Sequence, residues 1–229
     1  MMKRLLKIVL VVTLLFGVHE RVEASTIQLP QTGQTVCYDT ATNAPTACTN
    51  TTGQDGNILA GKPSPVPRFT INKLGDGITE DGTVTDNLTG LTWLKDAGCF
   101  STVGGIAKGT TAATSTLTWP DALTWSNNLK GDNTACGLKD GSVSGDWRLP
   151  NITELKSLVD FSQQYPALPA GHPFINVVPS AYYSSSSNGE GSRGDARFVG
   201  MDIGDMSSTN KIYSYYVWPV RDGQYGGSP

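Results

Sequence analysis

The chain is 229 residues long and carries 17 lysines and arginines against 20 aspartates and glutamates. From Ser25 onward the count is 13 against 18, a net charge of −5, which argues against nucleic acid as a partner and against broad affinity for polyanions such as sulfated polysaccharides. This length sustains one core of roughly 150 residues with segments to spare, and the wealth of Gly, Ser, Thr, Asn and Asp favours a loop-rich antiparallel or α+β domain.

Residues 1–24 have the pattern of an export signal. Lys3, Arg4 and Lys7 give a positive start, Ile8 to Val18 an apolar stretch, and Val22-Glu23-Ala24 a small-residue cleavage site before Ser25. The apolar stretch is short for a bilayer span, so no membrane span is expected once the signal is removed. The mature chain is expected to be secreted or periplasmic, with the cell surface as a further destination. Residues 25–68 read as an N-terminal extension, with turn signals at Gln31-Thr32-Gly33 and Gln54-Asp55-Gly56 and a stiff proline-rich connector from Pro63 to Pro67.

Four cysteines allow three pairings, and an exported chain with an even number usually oxidises them. Cys37 and Cys48 flank a short turn-rich segment and pair locally, which leaves Cys99 with Cys136 across a longer loop holding the first helix. There is no C-x-x-C spacing and His172 is the only histidine after residue 24, so neither a metal site nor a cofactor is expected.

The main domain is expected over residues 69–223, with 224–229 as a tail. Phe69-Thr70-Ile71, Thr83-Val84-Thr85 and Leu91-Thr92-Trp93-Leu94 are short β-type runs separated by Gly-Asp turn formers, and 95–115 reads as a loop. A first helix starts at Thr118, with Pro120 in its first turn and Asp121 as the acidic capping partner. Trp119, Ala122, Leu123 and Leu129 share its apolar face, with Trp125 at the edge. Trp147 and Leu149 alternate with Asp146 and Arg148 as at the end of a half-buried strand, and Pro150 closes that run. Asn151 then caps a second helix, Glu154 reaches back to complete the cap, and Ile152, Leu155, Leu158 and Val159 form a stripe that carries the helix to about Phe161. Further strands are expected near Ala181 to Ser185, Ala196 to Met201, Tyr213 to Tyr216 and Val217 to Val220, the last free to return beside the first. The class is α+β.

Five ordered motifs carry a resemblance that covers nearly all of the chain after Ser25. They are Asp81 to Trp93 (DGTVTDNLTGLTW), Thr118-Trp119 with Ala122-Leu123, Asp146 to Pro150 (DWRLP) with Glu154-Leu155, Tyr182 to Ser185 (YYSS) and Val217 to Arg221 (VWPVR). Together they resemble the bacterial Lcl C-terminal domain family, and Leu29 to Asp39 resembles a leader often found before it. The resemblance implies a C-type-lectin-like domain, similar also to formylglycine-generating enzymes, with two short helices and a twisted antiparallel sheet. Here a small disulfide-closed extension precedes it. In the namesake, a collagen-like adhesin, the domain is associated with trimers and with sulfated glycans, which implies a homo-oligomer, a trimer, as a further partner. Tyr183 departs from the Trp of many members, and the acidic balance departs from polyanion binding.

Catalytic machinery is not apparent. A formylglycine-generating site needs a reactive thiol pair or copper site late in the chain, and no cysteine follows Cys136. His172 lies in a Gly-His-Pro turn with no nucleophile motif nearby. The pairs Asp202 with Asp205 and Asp76 with Asp81 read as solvated turn formers, and the Glu-Pro-Asn, Gln-Pro-Asp and Trp-Asn-Asp signatures of calcium-dependent lectins are missing. Trp93, Trp147 and Trp218 are expected in the core, with Arg148 and Arg221 paired to acids such as Glu154. The ligand-binding candidates are the polar aromatics Tyr182, Tyr213, Tyr215 and Tyr216 with Arg193, Arg197 and Asn210, side chains that adaptable binding surfaces favour. Arg193-Gly194-Asp195 adds an integrin-type tripeptide. The expectation is a non-enzymatic exported module for a glycan or protein ligand, adhesin-like, with a structural or assembly component as the alternative and a formylglycine-generating enzyme as a third reading.

Overall fold

The computed structural model describes residues 29–50, 53–189 and 194–222. The expected export signal, Arg193 and the tail therefore lie outside the described residues. In the extension, β1 (Cys37–Tyr38) and β2 (Pro45–Thr46) form a small hairpin closed by the Cys37–Cys48 disulfide. A one-turn helix follows, α1 (Asp55–Ile58). It packs so closely on the hairpin that a Cβ on Gly56 would sit 3.1 Å from both sulfurs.

The α+β class is as expected, but the strands divide between two sheets. A four-stranded antiparallel sheet has the order β11-β5-β4-β3, built from β3 (Phe69–Lys73), β4 (Glu80–Asp86), β5 (Thr92–Leu94) and β11 (Val220–Arg221). The last strand returns beside the first ones, with Val220 opposite Trp93. A five-stranded sheet has the order β6-β10-β7-β8-β9. Its strands are β6 (Thr116–Thr118), β7 (Ala181–Ser187), β8 (Asp195–Gly200), β9 (Met206–Asn210) and β10 (Ser214–Tyr216), antiparallel except where β10 runs parallel to β7.

Trp218 joins the two sheets. It is fully buried, its indole N–H donates to Leu94 O at 2.8 Å, and its ring meets Trp93, Phe174 and Tyr182 at 5.7, 4.7 and 5.7 Å. Edge-to-face packing of this kind adds stabilisation beyond buried area. The Trp-Pro step leaves Val217 to Pro219 outside any strand, so only the Val220 end of the expected last strand pairs.

Helix α2 (Trp119–Asn128) starts at Thr118, whose hydroxyl donates to the carboxylate of Asp121 at 2.8 Å, and Pro120 lies in its first turn. Trp125 is at the centre of the buried face, not its edge. It is fully enclosed, with its N–H donated to Ser101 O. The second disulfide, Cys99–Cys136, spans this helix as expected. Helix α3 (Ile152–Ser157) has the reciprocal cap: Asn151 Oδ1 accepts from Glu154 N at 2.9 Å and Glu154 Oε2 accepts from Asn151 N at 2.8 Å. It ends one turn before Phe161, because the next backbone donors leave the helix: Asp160 N–H goes to Ala167 O and Phe161 N–H to Thr32 O of the extension. At this junction Gly33 adopts φ +82°, and a side chain there would collide with the carboxylate of Asp160.

Arg68, the last residue of the extension, ties these parts together. Its guanidinium donates to both oxygens of the fully buried Asp86 at 2.7 and 2.9 Å and to Ser157 O of α3 at 2.8 Å. Asp86 also accepts from Leu88 N–H and the Thr89 hydroxyl. Asp86→Asn keeps the shape and removes the charge, and is expected to cost about 2 kcal/mol. Urea unfolding of the two proteins measures this directly, and equal midpoints would show that the ion pair contributes nothing.

Candidate functional site

The signature residues serve as scaffold. Trp147 is fully buried and donates its indole N–H to Ser142 Oγ at 2.8 Å. Ser142 donates in turn to Asp140, whose other oxygen lies 3.0 Å from Arg221 Nε as a charge contact, and the Arg221 guanidinium covers the Trp147 ring at 5.6 Å. A backbone bridge between Arg148 and Val220 fixes Arg148, so that its guanidinium forks onto Glu154 at 2.7 and 2.8 Å and reaches Asp222 at 2.7 Å. Trp93 is likewise enclosed in the core. The pairing of Arg148 with Glu154 follows the sequence expectation, whereas the acid beside Arg221 is Asp140.

The tyrosine candidates separate into two sets. Tyr182 and Tyr216 are not surface residues: they face each other in register across β7 and β10 on the core side of the sheet, fully and almost fully buried. Their hydroxyls are used internally, Tyr182 accepting from Val178 N–H at 2.8 Å and Tyr216 donating to Ala113 O at 2.6 Å. The alternation of a strand puts their neighbours on the other face. There Tyr215 stacks on Phe198 at 5.2 Å and meets Tyr183 at 5.0 Å. Tyr183 donates to Tyr213 O at 3.0 Å, which fixes the turn between β9 and β10 and leaves the Tyr213 side chain 58 % exposed. Asn210 and Arg197 are also exposed. Tyr213 and Tyr215 are thus brought together, while Arg197 and Asn210, which share the other face by register, with Asn210 opposite Asp195, project away from Phe198.

A second feature adjoins that turn. An open groove of about 450 Å³ runs along α2, with Leu123, Thr124 and Asn127 on one side and Arg148, Leu149 and Ser185 on the other. Trp119, one turn ahead of Leu123, stands at its head: its indole N–H donates to Ser184 O at 2.8 Å, its backbone N–H to Lys211 O at 3.1 Å, and the Lys211 ammonium lies 4.5 Å over its ring. Tyr213, Trp119 and the groove therefore follow one another along one surface. The groove was not apparent in the sequence, because its walls come from three separate segments. The only local sign is Asn127, a polar residue on the helix face away from Ala122 and Trp125.

Among the described residues no group of three or more His, Cys, Asp or Glu is placed to hold a metal ion, and no helix is long and apolar enough to cross a membrane. All four cysteines of the chain are in disulfides. His172 is half-buried against Phe174, and burial lowers its pKa.

Two sheets joined by an aromatic seam, two disulfides, and signature residues that are either buried tryptophans or paired charges define a small disulfide-stapled α+β domain with a polar, aromatic surface. Residues 82–221, more than half of the chain, match the model of the Lcl C-terminal domain, and the chain belongs to that family. Comparison with curated proteins and with solved structures gives no match.

Proposed function

We propose that this protein is a non-enzymatic binding module that acts outside the cytoplasm and recognises a glycan or protein ligand at or beyond the cell surface, on a C-type-lectin-like scaffold. The observation that carries this reading is the surface from Tyr213 through Trp119 to the α2 groove. It presents aromatic, amide and hydroxyl groups on rigid elements, while Arg148 is paired with Glu154 and Asp222 and Arg221 lies against Asp140. Disulfides suit an oxidising compartment. The test is capture of ligands from a glycan array and from surface extracts, with Tyr213→Ala in parallel. The variant is expected to fold normally and to bind at least about threefold more weakly, as for loss of one surface contact. Absence of any ligand together with measurable turnover of a substrate would overturn the reading.

An assembly role, including the trimer that the family resemblance implies, is favoured by one observation: Ile212 and Tyr213 stand side by side, 74 % and 58 % exposed. Sedimentation of the wild type and of Ile212→Lys separates the readings, since an obligate oligomer through this turn would dissociate in the variant. A formylglycine-generating activity needs a reactive thiol, and titration of the folded protein is expected to find none.

A further inference from the structure

We infer that the groove along α2 takes an uncharged oligosaccharide, and that it does not take a sulfated one. This rests on the proposed binding function and narrows it to a ligand class and a place.

Arg148 is the one cationic group among the groove-lining residues, and it is committed to two carboxylates, forked onto Glu154 and bonded to Asp222. The three groups sum to −1. Glu154 completes the cap of α3 with the same carboxylate, so it cannot leave Arg148 without opening the helix start. A polyanion entering the groove would therefore face a net negative cluster and would have to break a bidentate pair to reach the guanidinium. An uncharged ligand does not incur that loss.

The remaining groups have the chemistry of a sugar site. The Asn127 carboxamide is exposed and makes no hydrogen bond within the described residues, so it offers two donors and an acceptor. Thr124 uses its hydroxyl proton on Pro120 O and Ser185 its own, weakly, on Pro150 O at 3.3 Å, which leaves both oxygens free to accept. Between these polar groups lies the half-buried side chain of Leu123, backed by the buried Leu149, an apolar floor suited to the C–H face of a pyranose. Free donors on Asn127 beside free acceptors on Thr124 and Ser185 match vicinal hydroxyls, each of which both donates and accepts. A basic peptide would suit the negative cluster but would leave the amide and the apolar floor without matching partners.

The probes are maltohexaose, cellohexaose and chitohexaose on one side, a heparin-derived hexasaccharide on the other, and a hexalysine peptide. Binding is read by chemical-shift changes and titration calorimetry at about 20 mM salt, where screening is weakest. At least one neutral hexasaccharide is expected to bind and to shift Asn127 and Leu123 resonances. Asn127→Ala should weaken it about fivefold, and Thr124→Arg, which fills the groove, should abolish binding, both with melting temperatures near that of the wild type. Tighter binding of the heparin fragment or of hexalysine would overturn the inference, as would silence toward all neutral probes. A neutral ligand that binds unaffected by both groove variants but is lost in Tyr213→Ala would overturn the groove assignment and leave the binding-module reading intact.

Discussion

Replacing Trp147 by alanine is expected to destabilise the protein by about 3–5 kcal/mol and to lower its melting temperature by about 10 °C, before any effect on ligand is seen. The indole fills a site with no exposure, so its removal combines lost transfer energy with a cavity. It also leaves Ser142 without the proton it accepts and Arg221 without the ring it covers, next to the nearly inaccessible Asp140. Calorimetry and ligand titration on the same variant decide the matter. Unchanged melting with lost binding would move Trp147 from scaffold to site.

Lys108 provides a second large effect, one that depends on pH. Its side chain has no exposure, its ammonium donates to Val217 O at 3.0 Å and lies 4.3 Å over the ring of Trp125. Burial pulls its pKa down to about 7, opposed in part by Asp96. Because the folded value lies below that of the unfolded chain, the unfolded state binds more protons between about pH 7 and 10.5. The cost of the buried charge is therefore complete below about pH 7 and disappears as pH rises toward 10.5. Stability should climb over this window by at most about 5 kcal/mol. Above pH 10 the sign reverses, since burial holds the hydroxyls of Tyr182 and Tyr183 above their ordinary range, Tyr183 to about 12, so the unfolded tyrosines ionise first. Urea midpoints measured from pH 6 to 10 should rise in the wild type and stay level in Lys108→Met. A flat wild-type profile would show that the ammonium finds solvation which its enclosure does not suggest.

What the sequence revealed follows from how far apart the cooperating residues are. The cap of α3 was legible because Asn151 and Glu154 are three residues apart, and the disulfides because one short turn separates Cys37 from Cys48. The length of α3 was not, since its end is set by Thr32, more than a hundred positions earlier. In Tyr-Tyr-Ser-Ser-Ser-Ser the polar context suggests a surface role for Tyr182, yet both tyrosines are fully buried. Tyr182 lies opposite Tyr216 and Tyr183 opposite Phe198, so that each face of the strand is covered by residues from distant strands. Strand β9, Met-Ser-Ser-Thr-Asn, lies at the sheet edge with little to bury, so it lacks the apolar alternation that marks a strand. The scaffold role of Trp93, Trp147 and Trp218 was readable from their motifs, but the groove beside them needed α2, the Arg148 segment and β7 in one place.

The return of β11 to the side of β5 makes closure of the core a long-range event. Until residues 217–221 are in place, Trp218 is missing from between the sheets and Trp93 lacks the strand that pairs with it. The core therefore closes through contacts spanning more than a hundred residues, which is a slow kind of closure.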